Sequence, residues 1–342
     1  MQSPQRIAIT ATEQAMYRSV WERLLAAESI LLVSPKRPDG DSVGSICGLR
    51  AALRTVGKNA TLYCPDPIPP TFDILPYVYE IEQNYESRIK NHGFDAIVVV
   101  DAGDITFAGI AEELPMWKSG GGQLIVIDHH VTNTRYGDVN CIVTNAASTT
   151  EAIARMLIAN HVFITEPIAT ALLFGLVTDT DGFTNPATSP SAVATAATLL
   201  SAGARMTPIL RAVYQSKPVG ALMLWGKALE RLRVHPRWEI ATTVLLPNDF
   251  TECAASMGQS AASVDGAGDG LSNFLQAVLP VRAILVLKDD GTGIVRGSLR
   301  TQRNDVDLSR LARQFGGGGH RKAAGFGVPG RIVSDGDRWR VE

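Results

Sequence analysis

SILLVSPKRPDGDSVGS, residues Ser29 to Ser45, runs from four apolar residues through a Pro-Asp-Gly turn into a helix-like stretch, and sets two carboxylates, Asp39 and Asp41, one residue apart. A short apolar run closed by turn residues reads as a buried strand. Asp41 is a candidate N-cap for a helix beginning near Val43, because a carboxylate accepts a backbone N–H of the first helical turn. Gly44 and Gly48, one turn apart, let such a helix pack closely against a strand. The same two acids also suit a metal-binding turn, and the stretch by itself does not separate the two readings.

Its neighbours along the chain do more. β-rich runs alternate with helical patterns: SILLVS (29–34), SICGLRAALRTVG (45–57), ATLYC (60–64), DAIVVVDAGD (95–104), QLIVIDHH (123–130) and the segment from about Ser148 to Asn160. This alternation predicts a mainly parallel sheet covered by helices. LLVS leads into Asp39 and Asp41, IVVV ends in Asp101, and LIVI ends in Asp128-His129-His130. Acid and imidazole groups therefore collect at the carboxyl ends of separate strands, the edge of an open α/β sheet where ligands bind. Asp179 and Asp181 follow the apolar helix PIATALLFGLV (167–177) and are a fourth candidate source.

From about Thr207 to Arg233 the pattern is helical and of mixed polarity, which suits a connector. WEIATTVLL (238–246) then reads as a strand, Leu271–Leu279 as a helix, and VRAILVLKDDGTGIVRGSLR (281–300) as a hairpin turning at Asp-Asp-Gly-Thr-Gly. The expected class is α/β: a mainly parallel first domain over residues 1–210, a helical linker over 211–235, and a second, smaller α+β domain over 236–342. Two domains also follow from length, since 342 residues exceed one ordinary core.

With hydrophobic residues at 45% and charged residues at 19%, the chain has globular composition, and no apolar run nears a membrane span, so no membrane partner is expected. The first residues lack a basic segment followed by an apolar one, which favours the cytoplasm. Cys47, Cys64, Cys141 and Cys253 are widely spaced and read as small core residues. A net charge of −2 excludes a strong grip on long duplex nucleic acid, so any such partner is short.

Asp101 closes a nearly pure apolar strand, and a buried carboxylate is costly without a positive neighbour. Two consecutive histidines after Asp128 point in different directions, so one can ligate a metal while the other reaches a substrate. Carboxylates with one imidazole suit Mn²⁺, or Mg²⁺, and not a thiolate zinc site. Many carboxylates around paired divalent ions is the arrangement for in-line displacement at phosphorus. The run Gly316–Gly319 reads either as a flexible linker or, lying between LSRLARQF and HRKAAGF, as backbone approaching an anion beside His320, Arg321 and Lys322.

RPDGDSVGS (37–45), VVVDAGD (98–104), VIDHHVTN (126–133) and GLVTDTDGF (175–183), in this order, resemble the successive motifs of the DHH phosphoesterase superfamily. GGGGHRKAAGF (316–326) resembles the signature of its DHH-associated C-terminal domain, and the layout is most similar to the bacterial nanoRNase branch. The resemblance implies hydrolysis of short oligonucleotides and of 3′-phosphoadenosine 5′-phosphate with two Mn²⁺ ions. It implies that Asp39 and Asp41 bind separate ions, that Asp101 bridges them, and that His129 and Asp179 complete the second site. His130 would contact the scissile phosphate and Asp128 would orient the histidines, while Arg300, Gly317, Gly318, Gly319, His320 and Arg321 would hold the substrate's other end. One departure stands out: the family's usual histidine four residues before Asp39 is Pro35, which leaves the first metal site short of a ligand. Asp181, where relatives often have glycine, is an added carboxylate. The alternatives are a cyclic or linear dinucleotide phosphodiesterase, and a nucleotide-binding protein whose catalysis Pro35 has weakened. A homodimer is left open.

Overall fold

Strands β1 (Ile30–Val33), β4 (Ala96–Val100) and β5 (Gln123–Asp128) are buried at every position except Gln123. These runs show no polar alternation because helices cover both faces of the parallel sheet they form. In the computed structural model, which describes residues 7, 9–83, 93–214, 219–256, 268, 270–319, 321–336 and 338–342, the chain divides into two units, Met1–Ser216 and Lys217–Glu342.

In the first unit β2 (Thr61–Tyr63), β3 (Ile81–Glu82) and β6 (Val139–Ile142) complete a sheet of order β3-β2-β1-β4-β5-β6, parallel at every pairing. Side chains alternate across it. Ile30, Leu32, Val98, Val100, Ile125 and Ile127 enter one core with helices α1 (Ala11–Ala26), α2 (Gly40–Thr55), α5 (Thr149–Ala159) and α6 (Glu166–Asp179). Leu31, Val33, Ile97, Val99, Leu124 and Val126 enter the other, against the short helices α3 (Ile105–Ala108) and α4 (Leu114–Trp117). The strand order reverses direction at β1 and β4, and the loops leaving these two strands diverge to opposite sides, opening a crevice at their carboxyl ends.

Helix α6 is apolar all round because it is buried all round, from Ile168 to Val177. It packs on α2, and this corrects the expected role of the α2 glycines: their close partner is a helix, not a strand. A Cβ at Gly44 would stand 2.7 Å from the Ala171 carbonyl oxygen, and one at Gly48 2.6 Å from Leu172 Cδ2. A second correction concerns the cap. Asp39, not Asp41, is the N-cap of α2: its Oδ1 accepts the Ser42 N–H at 2.9 Å, and its own N–H donates to Ser42 Oγ at 3.0 Å. Helices α7 (Pro190–Ser201) and α8 (Met206–Tyr214) finish the unit.

The second unit begins with α9 (Val219–Glu230), whose Ala221, Leu224 and Ala228 join the core of Ala241 and Leu245. Its sheet, from β7 (Arg233–Val234), β8 (Ile240–Leu245), β9 (Ala283–Asp289), β10 (Ile294–Arg300), β11 (Gly318–Gly319) and β12 (Ala323–Pro329), has the order β11-β12-β10-β9-β8-β7. Only β8 and β9 pair in parallel. The expected hairpin joins β9 to β10, with positive φ at Gly291 and Gly293. Ile284 and Val286 pack on one face with α9, α10 (Pro247–Ser256) and α11 (Leu271–Val278), while Leu299 and Ala324 pack on the other with α12 (Leu308–Gln314). Strands β13 (Ile332–Asp335) and β14 (Arg338–Val341) form a separate hairpin. All four cysteines are buried, and no helix among the described residues is long and apolar enough to cross a membrane.

Because the Ala171 oxygen belongs to a buried helix backbone, it cannot swing away from an added methyl group. Gly44→Ala is therefore expected to destabilise the protein by about 1–3 kcal/mol, the usual scale of overpacking, read as a lowered urea midpoint. An unchanged midpoint would show that α2 and α6 can separate at no cost.

Candidate metal centre

Each acid at this edge arrives on a different element. Asp39 and Asp41 stand at the β1–α2 junction, Asp101 follows β4, Asp128 ends β5 with His129 and His130 after it, and Asp179 is the last residue of α6. The structure brings most of them together. One ligand atom from each of Asp41, His129 and Asp179 lies within 4.8 Å of the others, and the same holds for Asp101, His129 and His130. His129 Nε2 is 3.7 Å from Asp101 Oδ1 and 3.4 Å from Asp179 Oδ2. Asp39 belongs to neither group and is engaged as the helix cap.

Asp41 is fully buried and holds both oxygens against the N-terminus of α5. Its Oδ2 accepts the Thr149 N–H at 2.6 Å, and its Oδ1 accepts the Thr150 N–H at 2.9 Å and the Thr150 hydroxyl at 2.7 Å. The unpaired donors and dipole at a helix start favour a carboxylate there. Asp101 has φ +54°, a left-handed backbone that costs a non-glycine residue roughly 1–2 kcal/mol. Its N–H donates to the Ile127 carbonyl at 3.0 Å, and its Oδ1 accepts the Thr149 hydroxyl at 3.0 Å.

Asp128 is the hub of the histidine pair. Its Oδ1 accepts the His129 N–H at 2.7 Å and pairs with His130 Nδ1 at 2.7 Å, while its Oδ2 accepts Asn133 Nδ2 at 2.6 Å. Burial pushes this carboxyl up, but hydrogen bonds from His130 and Asn133 and the charge of His130 outweigh it, so its pKa lies below the ordinary range. The bond to Asp128 raises the pKa of His130 against the opposing effect of burial. Asp101 and Asp179 are held well above the ordinary carboxylate range, by desolvation first and then by Asp41 and Asp39. Asp39 is raised as well, by crowding protein atoms and then by Asp41.

Among the described residues, no lysine or arginine pairs with Asp39, Asp41, Asp101 or Asp179. A cluster of acids in which Asp39, Asp101 and Asp179 are raised by desolvation and then by neighbouring charge, with imidazole nitrogen alongside and no lysine or arginine paired to it among the described residues, fits a divalent ion. Thr149, Thr150 and Asn133 are functional candidates that sequence reasoning missed. The Ser148-Thr149-Thr150 run signalled a helix start, but nothing in it named the carboxylates it would meet.

In the second unit the glycine run is not a linker. Gly318 pairs with Gly325 and Gly319 with Ala324, as strand β11. A Cβ at Gly317 would fall 2.1 Å from the Gly325 oxygen, and Gly319 has φ +132° with a Cβ position 2.6 Å from the Ala323 oxygen, so both positions require glycine. At Gly318 the space is open. Ser298 faces Gly325 in register on β10, and Arg300 ends that strand with Nε donating to Asn273 Oδ1 at 2.7 Å. Arg321 is exposed and donates through Nη2 to the Asn304 carbonyl at 2.8 Å. His320 lies outside the described residues.

A two-unit α/β protein with carboxylates and histidines gathered at the switch point of a parallel sheet is thereby defined. Residues 29–176 match the DHH family, N-terminal domain, and residues 260–336 match the DHHA1 domain, so the chain carries both domains. It is 29% identical over 318 residues to the bifunctional oligoribonuclease and PAP phosphatase NrnA of Thermus thermophilus, covering 92% of this chain and 88% of that one. To the protein of the same name from Bacillus subtilis it is 23% identical over 304 residues, covering 88% and 90%. Among solved structures, an exopolyphosphatase-related protein from Bacteroides fragilis is similar with a TM-score of 0.78 and 25% identity, over 92% of this chain and 91% of that one.

A carboxyl whose pKa is raised on folding holds its proton more tightly in the folded state, so its contribution turns unfavourable as pH climbs from the unfolded value to the raised one. In chelator-treated protein Asp101→Asn removes such a group. Near pH 8 the variant should melt at least about 2–4 °C higher than the unaltered protein, the shift of a 1 kcal/mol gain in a unit this size. The gap should close as pH falls toward the ordinary carboxylate value of about 3.9. Equal melting temperatures near pH 8 would contradict the repulsion described.

Proposed function

We propose that this chain is a metal-dependent phosphoesterase that hydrolyses short oligonucleotides and the 3′-phosphate of 3′-phosphoadenosine 5′-phosphate. The observation that carries this reading is the convergence of Asp41, Asp101, His129 and Asp179 at one crevice, where no lysine or arginine among the described residues pairs with them. Asp39, Asp41, Asp101, His129 and Asp179 would hold a pair of divalent ions, with Mn²⁺ favoured by the mixed carboxylate and imidazole donors. Such a pair supplies charge neutralisation at the phosphoryl oxygens and Lewis acidity for attack by water.

The chain's own groups do the rest. His130, kept protonated to higher pH by Asp128, is a charge-assisted donor for a phosphoryl oxygen. Asp128 and Asn133 fix the orientation of that ring. In the second unit, the open backbone at Gly318, with Ser298 and Arg300 across β12 from it on β10, suits a nucleotide whose sugar or phosphate approaches the main chain closely. A net charge of −2 agrees with a short substrate, whose few phosphates need few cations. The names of the relatives, oligoribonuclease and PAP phosphatase, support the same substrate classes.

Incubation with Mn²⁺ and di- to pentanucleotides should release mononucleotides, and with the bisphosphate should release inorganic phosphate. Asp101→Ala should reduce both by at least about 10²-fold, the scale of losing one preorganised charge-stabilising group, with the fold retained. Nucleotide binding without turnover in Mn²⁺ would instead favour a binding protein.

Pro35 motivates that second reading. It is buried, and its carbonyl accepts the Cys64 thiol at 3.5 Å, so its side chain offers no donor where an imidazole would add one. Pro35→His is expected to tighten Mn²⁺ binding in calorimetric titration. An unchanged titration would show that this loop does not face the first ion.

A further inference from the structure

Two threonines at the start of α5 connect carboxylates that lie far apart in sequence. Asp41, in the first turn of α2, and Asp101, after β4, both accept hydrogen bonds from Thr149: Asp41 Oδ2 from its N–H at 2.6 Å, and Asp101 Oδ1 from its hydroxyl at 3.0 Å. Thr150 takes the other Asp41 oxygen with N–H and hydroxyl together. Thr149 and Thr150 are fully buried, so solvent does not compete for these bonds.

The packing around the pair is built for close approach. A Cβ at Gly175 of α6 would stand 2.5 Å from Thr150 Cγ2 and 2.9 Å from Asp41 Cα, so only glycine there lets α6 close over the contact. Ser148, the N-cap of α5, accepts the Glu151 N–H at 2.9 Å. Glu151 Oε2 accepts the Ala147 N–H at 2.7 Å, and its Oε1 accepts the Ser191 hydroxyl at 2.6 Å. The helix start is therefore tied into the core by bonds other than those to the acids. Asp101 itself sits in left-handed backbone and, among the described residues, has one side-chain hydroxyl to fix its carboxylate, that of Thr149.

We propose that Thr149 is a positioning residue that sets the relative orientation of the Asp41 and Asp101 carboxylates, so that both present oxygen to the same divalent cation. The inference rests on the metal-dependent reading of the site. Carboxylates that already accept a hydrogen bond from such a partner lose little rotational freedom when an ion binds, and partners of this kind typically govern metal affinity by roughly 10- to 100-fold. The Thr149 N–H bond survives any side-chain change, so the hydroxyl alone is under test.

Thr149→Val keeps shape and branching but removes the hydroxyl, and Thr149→Ser keeps the hydroxyl. Mn²⁺ binding by calorimetry on the full chain, with melting temperature measured on the same samples without metal, separates positioning from folding. The proposal predicts that Thr149→Val binds Mn²⁺ roughly 10- to 100-fold more weakly, and that Thr149→Ser binds within about threefold of the unaltered protein. Thr149→Val with lower melting temperature but unchanged Mn²⁺ affinity would reduce the residue to a structural one and overturn the proposal. Equal weakening in Thr149→Ser would overturn it too, since the hydroxyl would then not be the cause. If Thr149→Val does not fold, the serine variant decides. Failure of the unaltered protein to bind Mn²⁺ would overturn the metal reading itself.

Discussion

Mutual repulsion among Asp39, Asp41, Asp101 and Asp179 is the constraint around which the first unit is organised. Asp39, Asp101 and Asp179, raised in pKa by desolvation and then by the neighbouring acids, would move away from this edge if the backbone allowed it. Three devices keep them together. The N-terminus of α5 holds both oxygens of Asp41, the backbone at Asp101 is locked in a left-handed turn by its bond to Ile127, and the close seam of α2 on α6 fixes Asp179 beside Asp41. The fold thus spends stability at this rim, a pattern expected where geometry serves chemistry and not folding.

Topology explains why the rim lies where it does. With strand order β3-β2-β1-β4-β5-β6, the chain leaves β1 toward one side and β4 toward the other, so the two loops cannot cover the strand ends between them. Asp39 and Asp41 follow the first of these strands and Asp101 the second. β5 lies next to β4 and delivers Asp128 and the histidines to the same edge. The apolar character of these strands, buried on both faces, makes the polar residues at their ends conspicuous in structure and sequence alike.

That conspicuousness is why so much of the site was legible beforehand. Strand ends announce themselves where an apolar run breaks into Asp or His, and parallel alternation then places those ends on one edge. What could not be read was partnership. The spacing of Gly44 and Gly48 announces a close neighbour but not whether it is a strand or α6, since both need a surface without Cβ atoms. Choosing between Asp39 and Asp41 as the cap of α2 depends on which side chain has a better use elsewhere, and Asp41 does, against a helix more than a hundred residues later. Thr149 and Thr150 escaped notice for the same reason: locally they are ordinary helix-start residues. In the second unit the β9–β10 hairpin was readable from its Asp-Gly turn. The strand made by Gly318 and Gly319 was not, because glycine runs carry no period-two signal.

The account stands on the acids and His129 acting as one binding site for divalent cations. Anomalous diffraction at the manganese edge, on crystals of the full chain grown with Mn²⁺, tests this most directly. Two peaks roughly 3.5–4 Å apart, with Asp101 between them and His129 and Asp179 beside one, are the predicted result. No peak in the crevice, or manganese bound only at surface carboxylates elsewhere, would contradict it.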